Sequence, residues 1–331
     1  MKIERISDVN VKIDISRPQA TVGMGTPAIF VEATTESCKT YTSIESLQKD
    51  FPETTDVYQK ANTFWSQENA GKEIVVISFT AGNIKAAATN YFFEMWHFAL
   101  LATFEAANAL ELSNLIEEQE FKFLVIQVPQ AADLNQFAGN LLTIGYVHPI
   151  TEHLDAAVVG NTANLTVGTV TWKFRGNLVG IKAQDLTQSQ IKEIEDLGGM
   201  VYVTKAGIPQ TSEGKTVGGE YIDALHGDHW VKANLETKIQ TLLSTTDKLS
   251  FDATGIALLN DAASNVLETA FTNGIIDAND DTGTGNYSVI TLDRGELNSD
   301  DIASRNYKGL SFTYKRSGAI HEVEVTGTIE V

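Results

Sequence analysis

Three short stretches of the 331-residue sequence place ligating or reactive side chains at spacings that chemistry uses, and each fails a specific requirement. Gly214-Lys215-Thr216 has the form of the end of a phosphate-binding loop. That loop needs a glycine five residues before Gly214, where Pro209 stands, and Gly207 lies two residues too early, so the lysine has no backbone cradle to complete. His226-Gly227-Asp228-His229 sets two imidazoles three residues apart, a spacing that on one helix face can share a metal. Gly227, followed by a helix starting at Asp228, is expected to break that face, leaving Asp228 as a helix cap with Trp230 packed below it. Asp277, Asn279 and Asp281 occupy the first three ligand positions of a calcium loop. Its bend position holds Thr282 instead of glycine and its last ligand position Ser288 instead of glutamate, which reads as a solvated acidic turn. No Gly-x-Ser-x-Gly elbow occurs, and Cys38 has no motif around it. The expectation is therefore no catalytic residue, no metal and no cofactor.

Composition narrows the partners. Lysine and arginine number 24 against 43 aspartate and glutamate, a formal charge of −19, with an isoelectric point near 4.6 and mean hydropathy −0.09. So acidic a surface repels phosphate backbones and anionic lipid, which excludes nucleic acid and membrane as partners unless a basic patch intervenes. The single cysteine rules out an intrachain disulfide. Met1-Lys2-Ile3-Glu4-Arg5 is charged where a secretion signal is apolar, and no stretch nears the ~18 apolar residues of a membrane span, so synthesis and folding in a cytoplasm are expected.

The middle of the chain alternates strand and helix signals. Ile74–Phe79 and Phe121–Val128 are short, continuously apolar runs of the kind buried on both faces of a sheet. Between them lie an Ala-rich helical stretch after Gly82-Asn83, a strand-like Met95–Ala102 and a helical Thr103–Gln119. This order predicts an α/β layer with a largely parallel sheet. Thr187 and Gln190 form a capping box for a helix that Gly198 ends, with Met200–Val203 as the next strand. Two further helices are expected, one from Asp228 to about Leu242 and one from Gly255 to Gly274, then the Asp277–Gly285 loop and a strand over Tyr287–Leu292.

Both chain ends alternate with a period of two. Val9, Val11, Ile13 and Ile15 share one face of a predicted strand, tethered by the breakers Pro18, Gly23, Gly25 and Pro27. Val323, Val325, Ile329 and Val331 alternate with acidic and threonine residues at the other end, where Ser317-Gly318 can fold the strand back on Leu310–Lys315 as a hairpin. Each terminal strand can complete its own sheet or a neighbour's, and a final strand of about thirteen residues, roughly 40 Å and long for an edge strand of one compact domain, weighs toward exchange.

The second half resembles the sheath proteins of contractile bacteriophage tails. The resemblance is carried in order by Asp155–Gly160 with Gly168–Phe174 and Leu178–Ile181, by Leu186–Lys205, by Gly219–Asp223 with Trp230 and Ile239–Leu243, and by Arg305–Val331. It covers about half the chain. It implies layered α/β (α+β) core domains with terminal β-strand arms that augment the sheets of neighbouring subunits. The divisions are an N-terminal arm and linker over 1–20, an α/β domain over 21–185, a sheath-like α/β domain over 186–308, and a C-terminal hairpin or strand arm over 309–331. It further implies a non-enzymatic subunit that forms stacked six-membered rings around a tail tube and contracts to drive the tube through the host envelope. The partners implied are other copies of the chain, the tube protein, the baseplate and the tail terminator. The place implied is the virion tail, with host cytoplasm during assembly.

On this reading the eight apolar residues at the two ends form inter-subunit strands. Arg305, Lys308, Lys315 and Arg316 form a basic patch that meets an acidic surface on a neighbour or on the tube, against the alternative of solvated edge-strand cations. Rival readings are another structural part of a contractile tail-like machine, either a bacteriocin sheath or a tail terminator, and, from a different class, a soluble α/β hydrolase.

Overall fold

The computed structural model describes residues 24–327. The strand expected over Val9, Val11, Ile13 and Ile15 lies outside that range, as do Ile329 and Val331.

A seven-stranded sheet organises the larger part of the chain. Its strands are β1 (Pro27–Glu32), β2 (Ser37–Tyr41), β3 (Ile74–Phe79), β4 (Phe98–Leu101), β5 (Phe123–Val128), β6 (Thr143–Val147) and β7 (Gly199–Met200), in the spatial order 2-3-1-4-5-6-7. Every pairing is parallel except that of β2 with β3. Strands β3, β4, β5 and β6 are buried at every position. That is why Ile74–Phe79 reads as an unbroken apolar run: helices cover both faces of a parallel sheet, and no position is left for alternation. The two edges differ from this interior. Edge strand β2 is mostly exposed and carries Lys39, which pairs with Asp50, while β7 is only two residues long.

Eight helices accompany the sheet and the smaller cluster: α1 (Ile44–Gln48), α2 (Asp56–Trp65), α3 (Ile84–Asn90), α4 (Ala106–Gln119), α5 (Leu154–Thr162), α6 (Gln188–Asp196), α7 (Ile222–Thr245) and α8 (Ala253–Thr272). Of these, α3, α4, α6, α7 and α8 fall where the sequence places helices, although α7 starts earlier than expected. At α6 both halves of the capping box form: Gln190 Oε1 accepts from the Thr187 N–H at 2.9 Å, and Thr187 Oγ1 accepts from the Gln190 N–H at 3.4 Å. Gly198 stops this helix at φ +74, a conformation other residues reach only with strain. The strand expected over Met200–Val203 is divided. Its start joins the large sheet as β7, and β8 (Tyr202–Lys205) turns away to pair with β9 (Ile208–Thr211).

The hydrophobic core does not divide at residue 186. One cluster runs from Ala28 through Met200–Val203 to Leu225. A smaller second cluster is built from Val231, Leu235, Ala263, Val266, Leu267, Ala270, Ile275 and Ile276, together with Val167. Over it lies a two-stranded antiparallel sheet of β10 (Tyr287–Thr291) and β11 (Leu310–Tyr314), with the short helix α9 (Ser299–Ala303) in the connection. Tyr287, Val289, Leu310, Phe312 and Tyr314 face that cluster, while Ser288, Ile290, Ser311 and Thr313 face outward.

Leu310–Tyr314 pairs with Tyr287–Thr291 rather than with the residues after Ser317-Gly318, and 317–327 carry no strand. The apolar face of β11 is satisfied by the cluster beneath it, and residues beyond Gly318 have no such face to cover.

Candidate functional site

The motif His226-Gly227-Asp228-His229 lies inside α7, which begins at Ile222, six residues before the start expected from sequence. Asp228 therefore caps nothing. Gly227 is tolerated mid-helix because a Cβ there would stand 2.8 Å from Cγ2 of Ile275, so the bare backbone lets Ile275 pack directly onto the helix. The two imidazoles are on one helix and both buried. Among the described residues no group of three or more His, Cys, Asp or Glu side chains could hold a metal.

What the motif holds instead is the Met24 backbone at the N-terminal side and the Tyr314 and Arg316 side chains at the C-terminal side. His226 Nε2 donates to the carbonyl of Met24 at 2.9 Å. His229 Nδ1 lies 3.1 Å from Nε2 of His97, and the His97 backbone N–H donates to the Thr26 carbonyl at 2.8 Å. Asp228 accepts from Tyr314 Oη at 2.5 Å and from Arg316 Nε at 3.1 Å, and forms an ion pair with Arg316 Nη2. Burial works against the Arg316 charge, but Asp228, Tyr314 and Glu220 outweigh it and hold the guanidinium protonated. Burial also pushes the three imidazoles down, His226 to about 4, so all three are neutral near pH 7.

From Arg316 the chain continues along the body. Ser317 donates its N–H to Ile275 O at 2.9 Å. His321 is fixed on both ring nitrogens, Nδ1 to Glu213 Oε1 at 3.1 Å and Nε2 to Thr171 Oγ1 at 2.9 Å, and its ring meets Phe174 and Tyr221 edge-on. Beyond it Val323 is 74% and Val325 88% exposed. These two predicted strand residues are thus presented to solvent with no pairing partner among the described residues.

The predicted basic patch is largely neutralised within the chain. Lys308 pairs with Asp301 at 2.6 Å, Lys315 with Asp277 at 2.7 Å, and Arg316 with Asp228 and Glu220. Arg305 is exposed at φ +58 just after α9. The Asp277 loop is thereby explained: the Asp277 carboxyl, held below its usual range by Lys315, serves an ion pair. At the failed phosphate loop, Lys215 lies over the ring of Tyr221, with Nζ 4.9 Å from its centroid. Cys38 sits half-buried on β2, its thiol pushed up to about 11 by burial and by Glu94, the opposite of an activated nucleophile.

Among the described residues no helix is long and apolar enough to cross a membrane. No protein-family model matches the sequence, and no curated protein matches it.

Solved structures do match the fold. A chain of the anti-feeding prophage baseplate, symmetrised six-fold, superposes with TM-score 0.73 at 12% identity, covering 99% of this chain and 100% of that one. A chain of the contracted PVC sheath complex, from an extracellular contractile injection system, also gives TM-score 0.73, at 9% identity over 100% of this chain and 99% of its own. A sheath tail protein from Desulfitobacterium hafniense gives TM-score 0.58 at 10% identity, over 85% and 92% of the two chains. The described chain therefore shares the fold of these baseplate and sheath chains.

Proposed function

We propose that the chain is the sheath subunit of a contractile injection machine, a non-enzymatic protein that polymerises around a tube and shortens to drive it through an envelope. The observation that carries this reading is the end-to-end correspondence of fold with chains of the anti-feeding prophage and PVC assemblies. Their greater coverage and TM-score, against those of the sheath tail protein, favour an injection particle of that kind over the phage virion tail first expected.

The linkage follows from the sheet of β10 and β11. Among the described residues each strand pairs only with the other, so each offers an outer edge, and a two-stranded sheet gains stability from added strands. Val9, Val11, Ile13 and Ile15 of one neighbour, and Val323, Val325, Ile329 and Val331 of another, supply alternating strands for these edges. The partners are then other copies of the chain, a tube protein and a baseplate. A net charge of −19 is compatible with dense packing because shared backbone hydrogen bonds are insensitive to it, and salt screens charges beyond about 8 Å.

Negative-stain electron microscopy of the purified full chain tests the reading. Tubes or stacked rings are expected, and a variant lacking residues 1–16 should stay folded and form none. A monodisperse monomer from the unmodified chain overturns it.

A further inference from the structure

We propose that the His226–Asp228 turn of α7 is a clamp that fixes the roots of both terminal arms to one point and couples their positions. Its meaning for assembly rests on the reading of the two ends as inter-subunit arms; the contacts themselves do not.

Three consecutive residues divide the task. His226 holds the carbonyl of Met24, the first described residue after the N-terminal tether, and the Met24 side chain packs with Phe92, Phe121 and Ala233. Gly227 receives Ile275, whose carbonyl accepts from Ser317. Asp228 binds Tyr314 and Arg316, where β11 ends and the C-terminal segment begins. His229 closes the circuit through His97, whose own N–H holds Thr26. Both roots are therefore tied to about one turn of a single rigid helix, and that turn is buried on all sides.

The consequence is mechanical. If the N-terminal arm lends a strand to one neighbour and the C-terminal arm to another, load entering through either arm reaches the same turn, with the N-terminal root also continuing into β1 of the seven-stranded sheet. The body can then rotate between neighbours while the spacing of the two linkages stays fixed. His226 and Asp228 act here as positioning residues, because both are buried within the chain.

Hydrogen exchange on the unassembled full chain tests the coupling. The amides of Lys315 and Ser317 report the C-terminal root, and those of His97 and Phe98, both bonded to Thr26 O, report the N-terminal root. In the double variant Asp228→Asn with Arg316→Gln, which leaves no unpaired buried charge, exchange should accelerate about tenfold at both roots, the ratio that ~1.4 kcal/mol produces. His226→Phe should likewise accelerate exchange at Ser317, although it contacts only the N-terminal root. Arg316→Lys, keeping the charge, should restore most of the protection at both roots, and Lys308→Gln should change neither. Acceleration confined in each variant to its own side overturns the proposal. Because the chain is measured before assembly, this outcome is independent of tube formation, which microscopy of the same preparation decides.

Discussion

His321 and Glu213 meet through Nδ1 and Oε1 at 3.1 Å, and this contact is the last fixed point of the C-terminal segment before Val323 and Val325 stand free. The ring is held a second time by Thr171, and the Glu213 carboxyl, which burial alone would push up, is held below its usual range by the Gly214 N–H and Lys173. Replacing His321 with alanine should lose about 1 kcal/mol of docking and leave the fold intact. Limited proteolysis should then cleave between residues 317 and 325 several-fold faster, with no change in cleavage elsewhere.

Lys60 of α2 and Asp155 of α5 form an ion pair with side chains 8% and 1% exposed. Lys60→Met leaves the aspartate buried without its cation, which should cost about 3–5 kcal/mol by urea denaturation. Lys60→Met combined with Asp155→Leu removes both charges and should recover most of that loss. A single variant as stable as the parent would show that the pair contributes nothing beyond its packing.

Acid should loosen the clamp region. His97, His226 and His229 are all held below the ordinary histidine value, first by burial and then, for His97 and His229, by neighbouring charge from one another, from Lys122, Lys232 and Arg316. The unfolded chain thus binds these protons at higher pH than the folded one, so unfolding stability is full above pH ~6.5 and falls as pH drops toward 4. Each group contributes a limiting slope of about 1.4 kcal/mol per pH unit. Thermal midpoints measured from pH 7.5 to 4.5 should decline, and His226→Phe should flatten the decline.

Gly227→Ala tests the close approach of Ile275. Alanine is the better helix former by about 1 kcal/mol, yet its methyl would sit 2.8 Å from Cγ2 of Ile275, a methyl on a β-branched side chain with few rotamers to retreat into. The overlap should win, giving a net loss of about 1–2 kcal/mol in denaturant titration. A stabilised variant would mean that Ile275 moves freely, and would weaken the case for a rigid turn at this position.

The sequence reveals the parallel sheet well because its strands are buried on both faces and short, and the capping box at Thr187 and Gln190 because it is a purely local device. It misplaces the start of α7 for a specific reason. Gly227-Asp228 has the local chemistry of a helix beginning, and only the packing of Ile275 and the pairing of Arg316, 48 and 88 residues away, turn it into a helix interior. The intrachain partners of the basic residues are hidden in the same way. Lys315 and Arg316 are close in sequence, but Asp277 and Asp228, which neutralise them, are distant in it. What hid the clamp was distance along the chain. The only local sign of it was an aspartate between two histidines for which no ligand could be found.

The large sheet's edges bear on how such a chain avoids joining itself wrongly. A protein that lends strands at both ends meets, at high concentration, every exposed edge of every copy. Strand β2 answers with a lysine on the edge and β7 with a length of two residues, neither of which can template an incoming strand. The small sheet of β10 and β11 has five residues on each strand and no such defence. On the proposed reading, branched or out-of-register polymers would be disfavoured at nucleation, and the fidelity of growth would come from the edges that refuse a strand as well as from those that accept one.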